Sequence, residues 1–322
     1  MTAAATENLA GVGALAGLAR EVVDLKRMRD ARSPRSLAEW LFARSWTRLV
    51  RGDALGAVAL GETAQALAAV RLAGIDRAVM RDHGLTDAEA AAALVQAFDD
   101  VAGPLDGALR DRLREALAQD PARVVPLGDE PGFVEVLVRQ PRAGATHPGV
   151  PRLVLDPAES HADHCASVAL LSVLLAPTFG ADPARSFLTG LAHHLFNVTL
   201  PDAGFAGDQL LGDAADRMTA AAFERALVAL PGDLREETKA ALAATREAQF
   251  DTPAARTFHA ADVLDRVLEM ERHARSARFR LADALGTDTE AGQRNIVHAG
   301  FEQDFQREVL HAAGLWPPEG LR

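Results

Sequence analysis

Apolar residues recur along this chain at helical rather than alternating spacing, as Leu41, Leu49, Leu55 and Leu60 do among their polar neighbours. Glu7 to about Arg29 reads as one amphipathic segment, stopped at Ser33-Pro34. Ser36 can cap the next, which carries Trp40 and Trp46. Gly52-Asp53 opens a third that Gly74 closes, and Thr86 followed by Glu89 makes a capping box ahead of a helix through Phe98. Pro104 starts another helix, ending near Gln119. The texture then changes between Pro121 and Pro157. Val124-Val125, Phe133 to Val138 and Leu153 to Leu155 are short β-prone pieces among Gly-, Pro- and Arg-rich turns, a hairpin or an irregular linker. Helices resume at Pro157, and the pattern predicts them at 158–176, 183–196, 214–229, 233–249, 253–272, 275–285 and 301–312. This divides the chain into an N-terminal helical domain at 1–120 with no recognisable chemistry, a connector at 121–157, and a second helical domain at 158–322.

Composition supports an all-α fold. About one residue in five is Ala, the strongest helix former, while Tyr is absent and aromatic residues are only 5%. A net charge of −11 argues against a general nucleic-acid binder, which must neutralise phosphates, but leaves room for a small anion in a locally basic pocket. The single cysteine, Cys165, excludes an intrachain disulfide and suits a buried small residue in a reducing compartment. Val168 to Leu175, the most apolar stretch, is interrupted by Ser172 and ended by Pro177, too short for a bilayer span and so expected as a buried helix. With Glu7 in the weakly apolar N-terminus and no positive segment before it, the expectation is a soluble, cytoplasmic protein with no membrane partner. The basic groups Lys26, Arg27, Arg29, Arg32, Arg35 and Arg272 to Arg280 are expected on solvated helix faces, the latter beside Glu269 and Glu271.

The histidines carry the candidate chemistry. His161 and His164 open one apolar helix, His193-His194 end the next, and His259 and Asp262 lie one turn apart much later. Imidazole and carboxylate together suit Zn, Mn, Fe, Co or Ni, and packed helices can converge such side chains on one point.

In this order the residues resemble the HD superfamily of metal-dependent phosphohydrolases, an all-helical fold. His164 runs into Val168-Ala169, Gly190-Leu191-Ala192-His193 stands where the family has its apolar lead into a His-Asp pair, and Ala261-Asp262-Val263-Leu264-Asp265 matches the last element. The segment from Glu237 to Asp262 is similar to the 5′-deoxynucleotidase-like branch. The resemblance covers about residues 158–275, so the second domain is HD-like. It departs where His194 replaces the Asp of the pair and Asn197 stands where several members carry Lys. What it implies is a divalent ion on His164, His193, His194 and Asp262, and hydrolysis of a small phosphoester, possibly a nucleotide. With one carboxylate fewer, that set favours Zn, Fe, Co or Ni over Mg. In such a mechanism the ion binds a phosphate oxygen and acidifies a water that attacks phosphorus. Asp202, Glu247 and Asp265 are the candidates to take up the proton, and Arg185, Arg246 and Arg256 to hold phosphate oxygens.

Plainer roles stay open for the same residues. His161 at a helix start suits a cap, His259 suits the core, and His194, about 100° round a helix from His193, could face solvent. The rival reading of the whole is a catalytically silent helical module that binds a ligand or a protein. A dinuclear or His-iron redox site is disfavoured, because no His lies between Leu195 and Phe258 to supply further ligands. A homo-oligomer is compatible with everything above.

Overall fold

Among the described residues the chain is helical, with no β-strand and two isolated antiparallel bridges, Arg29–Ser36 and Pro141–Ser160. The structure, a computed structural model, describes residues 3–29, 32–119, 129–144, 152, 154–246, 252–277 and 302–315. In chain order the helices are α1 (Ala3–Val23), α2 (Leu37–Val50), α3 (Leu55–Leu72), α4 (Arg77–Asp82), α5 (Asp87–Val101), α6 (Gly107–Gln119) and α7 (Gly132–Arg139). They continue as α8 (His161–Phe179), α9 (Pro183–Ala192), α10 (Gly204–Leu211), α11 (Asp213–Leu227), α12 (Gly232–Ala243), α13 (Pro253–Ala277) and α14 (Glu302–Ala312).

Helix α8 is the axis of the fold. It is apolar all round and almost entirely buried, as a helix at the centre of a core must be. It is also the one helix among the described residues long and apolar enough to cross a membrane by length and composition, but its surface is spent on protein. Helices α1, α2, α3, α7, α9 and α13 pack against it. Three of these come from the first 120 residues, and one apolar core runs from Leu9 to Ala313 on both sides of the 121–157 connector.

Local signals set the ends of α8. Ser160 accepts from the Asp163 N–H at 3.0 Å while Asp163 accepts from the Ser160 N–H, and Gly180 closes the helix in the left-handed region at φ 72°. The start of α2 is built alike, from Ser36 and Glu39. The Ser36 hydroxyl also donates to the Asp163 carboxylate, so the two helix starts are tied together. Burial and the nearby Glu39 push the Asp163 carboxyl up to about 7. The Thr86–Glu89 box opens α5 as expected.

Several expectations need correction. The helix expected at 158–176 and ended by Pro177 starts at His161 and runs through Pro177 to Phe179. Phe133 to Val138 is not β-prone chain but part of α7: Phe133, Val134 and Leu137 bury one helical face, with the Phe133 ring 5.2 Å from that of Trp46. Packing against α2 overrides the β preference of its valines. The helix expected to run to 196 ends at Ala192, and a 3₁₀ turn follows at Leu195–Val198. Helices α4 and α10 were not expected, and α10 buries none of its residues. Of the helix expected at 275–285, residues 275–277 continue α13 without a break, while 278–285, Val124-Val125 and Leu153 lie outside the described residues.

Gly190 sets how closely α8 and α9 approach. A Cβ there would lie 2.6 Å from both Cα and N of Ala169, backbone atoms that cannot swing aside. Gly190→Ala should therefore cost about 1–3 kcal/mol as overpacking, measured as a lowered urea midpoint with an unchanged slope.

Candidate metal centre

The cap at Ser160 places His161 and His164 three residues apart on the first turns of α8. The end of α9 supplies the rest. His193 closes that helix, and His194 leaves helical geometry at φ −105°, ψ 16°. The break turns two adjacent side chains, which a continued helix would splay, toward the same place: their rings lie 4.4 Å apart. The His164 ring is 4.9 Å from that of His193 and 5.1 Å from that of His194, and one ring nitrogen from each of the three lies within 4.8 Å of the others. Helix α13 brings Asp262, whose Oδ1 is 3.3 Å from His164 Nε2 while Arg266 holds its Oδ2 at 2.8 Å.

Each imidazole has its Nδ1–H committed elsewhere. His164 Nδ1 donates to Asp265 Oδ2 at 2.7 Å, His193 Nδ1 to the Gly190 carbonyl at 2.6 Å, and His194 Nδ1 to Asn197 Oδ1 at 2.7 Å. The Asn197 amide is oriented by its own donation to the Leu200 carbonyl at 2.9 Å. These partners place a proton on Nδ1 of each ring and turn each Nε2 toward the others. The Nε2 atoms of His164 and His193 face one another at 3.0 Å, a span that one shared proton or one cation between them can bridge. Burial holds His193 down to about 3 and His194 well below the usual imidazole range, so both are neutral at pH 7, the form that ligates metal.

No family model, curated protein or solved structure matches the chain. What the centre does must be argued from its own groups.

Behind His164 lies a second knot of charge. The fully buried Lys26 Nζ is 2.7 Å from Asp265 Oδ1 and 2.9 Å from Oδ2, and it also pairs with Glu159 and Glu269. Arg27 and His273 bind the same Glu269. Glu159, His164 and Asp265 present ligand atoms within 4.8 Å of each other, but this carboxylate set already has its cation, the Lys26 ammonium. These positive neighbours keep Asp265 and Glu269 below the usual carboxylate range. The expected solvated face for Lys26 is thus corrected: continuing the apolar register of Val22 and Val23 points its side chain into the core. Removing the ammonium strands buried carboxylates, so Lys26→Met should destabilise by about 3–5 kcal/mol, read from urea denaturation.

The structure gathers His164, His193, His194 and Asp262 at one point. Asp265 stands on the Nδ1 side of His164, wholly buried against Lys26, where it orients the ring and faces away from the Nε2 cluster. Asp202 lies 3.9 Å from His161 Nε2. Arg185 is exposed in the first turn of α9, about 12 Å of helix rise from His193. The guanidinium of Arg256 sits over the rings of Phe179 and Phe305 at 5.9 and 5.2 Å, against the far end of α8. Glu247 and the Arg246 side chain lie outside the described residues. Cys165 is buried as expected, its thiol pushed up by burial. Sequence reasoning did not single out Arg142, which borders the cluster from a loop, where no periodicity marks it.

The neutral histidines give the metal-free protein a pH dependence. Burial lowers the folded-state values of His161 and His193 to about 3 and also depresses His194, against 6.5 when exposed. Below pH 6.5 the unfolded chain therefore binds protons that the folded chain refuses, and stability falls with pH by about 1 kcal/mol per histidine per unit. The loss should begin near pH 6.5, above the range in which Asp265 and Glu269 are protonated, and the Asp163 carboxyl, held up to about 7, offsets part of it because the folded chain takes up that proton first. Urea midpoints compared at pH 7.5 and 5.5 check this, and His161→Gln should make the net fall clearly shallower.

Proposed function

We propose that the protein holds one divalent transition-metal ion on His164, His193, His194 and Asp262 and hydrolyses a small phosphoester with it, in the manner of the HD superfamily that its sequence resembles. One observation carries this reading: three imidazoles, each with its Nδ1–H bound to an acceptor, turn their remaining nitrogens toward one place beside a carboxylate. Three neutral nitrogens and one carboxylate suit Zn, Fe, Co or Ni, and a ligand set of this charge leaves a dication with a net +1, attractive to a phosphoester. A divalent ion at such a site supplies Lewis acidity toward a phosphoryl oxygen and acidifies the water it binds.

The chain's own residues prepare the place. Asp265, held by Lys26, keeps the His164 proton on Nδ1, while Gly190 and Asn197 do the same for His193 and His194. Asp262 is divided between Arg266 and the cluster, so one of its oxygens is aimed at His164 Nε2.

Elemental analysis of protein purified without chelator tests the reading. The expected result is about one equivalent of transition metal, lost in His193→Ala together with metal-dependent turnover of phosphomonoesters. His194→Asp should keep the ion and shift its preference toward Mn and Mg, seen in metal-replacement titrations. Phosphoester turnover that survives both chelation and His193→Ala would refute the mechanism. Absence of metal in wild type would favour a silent ligand-binding module instead.

A further inference from the structure

Beside the metal centre the connector runs antiparallel to the start of α8. The His161 N–H donates to the Gln140 carbonyl at 3.1 Å, and the Arg142 N–H donates to the Glu159 carbonyl at 2.8 Å. These bonds pin Arg142 next to the histidines. Its Nε lies 3.7 Å from Glu159 Oε2, but its Nη1 is buried and meets no acceptor. His161 is wholly buried, its ring 4.9 Å from that of His194, and neither of its ring nitrogens has a hydrogen-bond partner. The nearest carboxylate, Asp202, stands 3.9 Å away from His161 Nε2, with Oδ2 accepting from the Ala143 N–H and Oδ1 from the Gly204 N–H, both at 2.9 Å. This corner therefore holds a guanidinium donor and an imidazole donor with nothing to receive them. Buried donors without acceptors are costly, and functional sites are where such costs are retained.

We propose that Arg142 and His161 form an anion subsite that receives the phosphoryl oxygens of the substrate next to the metal ligands, an inference that rests on the phosphoester reading above. The fixed positive charge of Arg142 disfavours a second cation here and favours an anion, and a guanidinium suits phosphoryl oxygens geometrically. The Arg142 and Asp202 side chains are 19% and 21% exposed, so the edge of the corner meets solvent while His161 forms its buried floor. Arg142 binds and places the phosphoryl group, and His161 adds a second donor.

Inorganic phosphate is the probe, titrated calorimetrically into the full chain as purified and after metal loading. Metal content and melting temperature are measured on the same samples. Arg142→Gln should keep its metal and lose phosphate affinity by about tenfold or more. Arg142→Lys should recover part of it, since the charge stays and the fork is lost. His161→Gln should weaken phosphate in the same direction by a smaller factor. Unchanged affinity in Arg142→Gln and His161→Gln, with metal retained, would overturn the subsite and leave the metal reading standing. Phosphate binding that needs Arg142 in a protein without metal would keep the subsite and overturn the metal reading. No binding to wild type at about 10 mM phosphate overturns the subsite outright. Should Arg142→Gln fail to fold, Arg142→Lys and His161→Gln decide on the same affinities.

Discussion

The carboxylate of Asp265 lies between the Lys26 ammonium and the His164 ring, and the rest of the structure is arranged around that contact. It joins three distant parts of the chain: the 3₁₀ turn after α1, the start of α8 and the middle of α13. Charge is balanced around it. Lys26, Arg27 and Arg142 face Glu159, Asp265 and Glu269, three of each sign. Such a buried set is costly to assemble, and more costly to leave incomplete. Its value here is orientation, because a carboxylate bound to a fixed cation cannot swing away from the imidazole it steers. The N-terminal helices thereby take part in the site without touching its Nε2 face.

The close crossing of α8 and α9 does the complementary work. Gly190 lets the backbones meet at Ala169, and its carbonyl then receives the His193 Nδ1–H. One residue thus sets both the distance between the helices and the tautomer of a candidate ligand. The break after Ala192 adds His194 to the same cluster, and Asn197 in the following turn holds its ring. A carboxylate at position 194 would have brought charge to this place. The imidazole brings only a lone pair, which leaves Asp262 as the anionic member of the set.

Much of the fold was legible in the chain because its signals are local. Ser36 and the Thr86–Glu89 pair mark helix starts within four residues, and the apolar run from Val168 marks a buried helix, whereas the Ser160–Asp163 box that starts α8 was passed over in favour of Pro157. Phe133 to Val138 misled because its valines favour strands in isolation, whereas Trp46, far away in sequence, supplies the surface on which a helix there packs. Lys26 misled because it sits among other basic residues, although its register with Val22 and Val23 places it inward.

Order and spacing pointed to His161, His164, His193-His194, His259 and Asp262, and the resemblance to the HD superfamily narrowed them to His164, His193, His194 and Asp262. Order and spacing also determined that the fold is helical and that the apolar run from Val168 is a buried helix, whereas its place at the centre came from the tertiary packing. Only the tertiary structure decided which nitrogens of those histidines are available, that Asp265 steers rather than faces the cluster, that Arg185 and Arg256 stand apart from it, and that Arg142 borders it. The reason is physical. Protonation state, orientation and desolvation are fixed by partners that arrive from other elements, as when Lys26 meets Asp265 across 239 positions of chain.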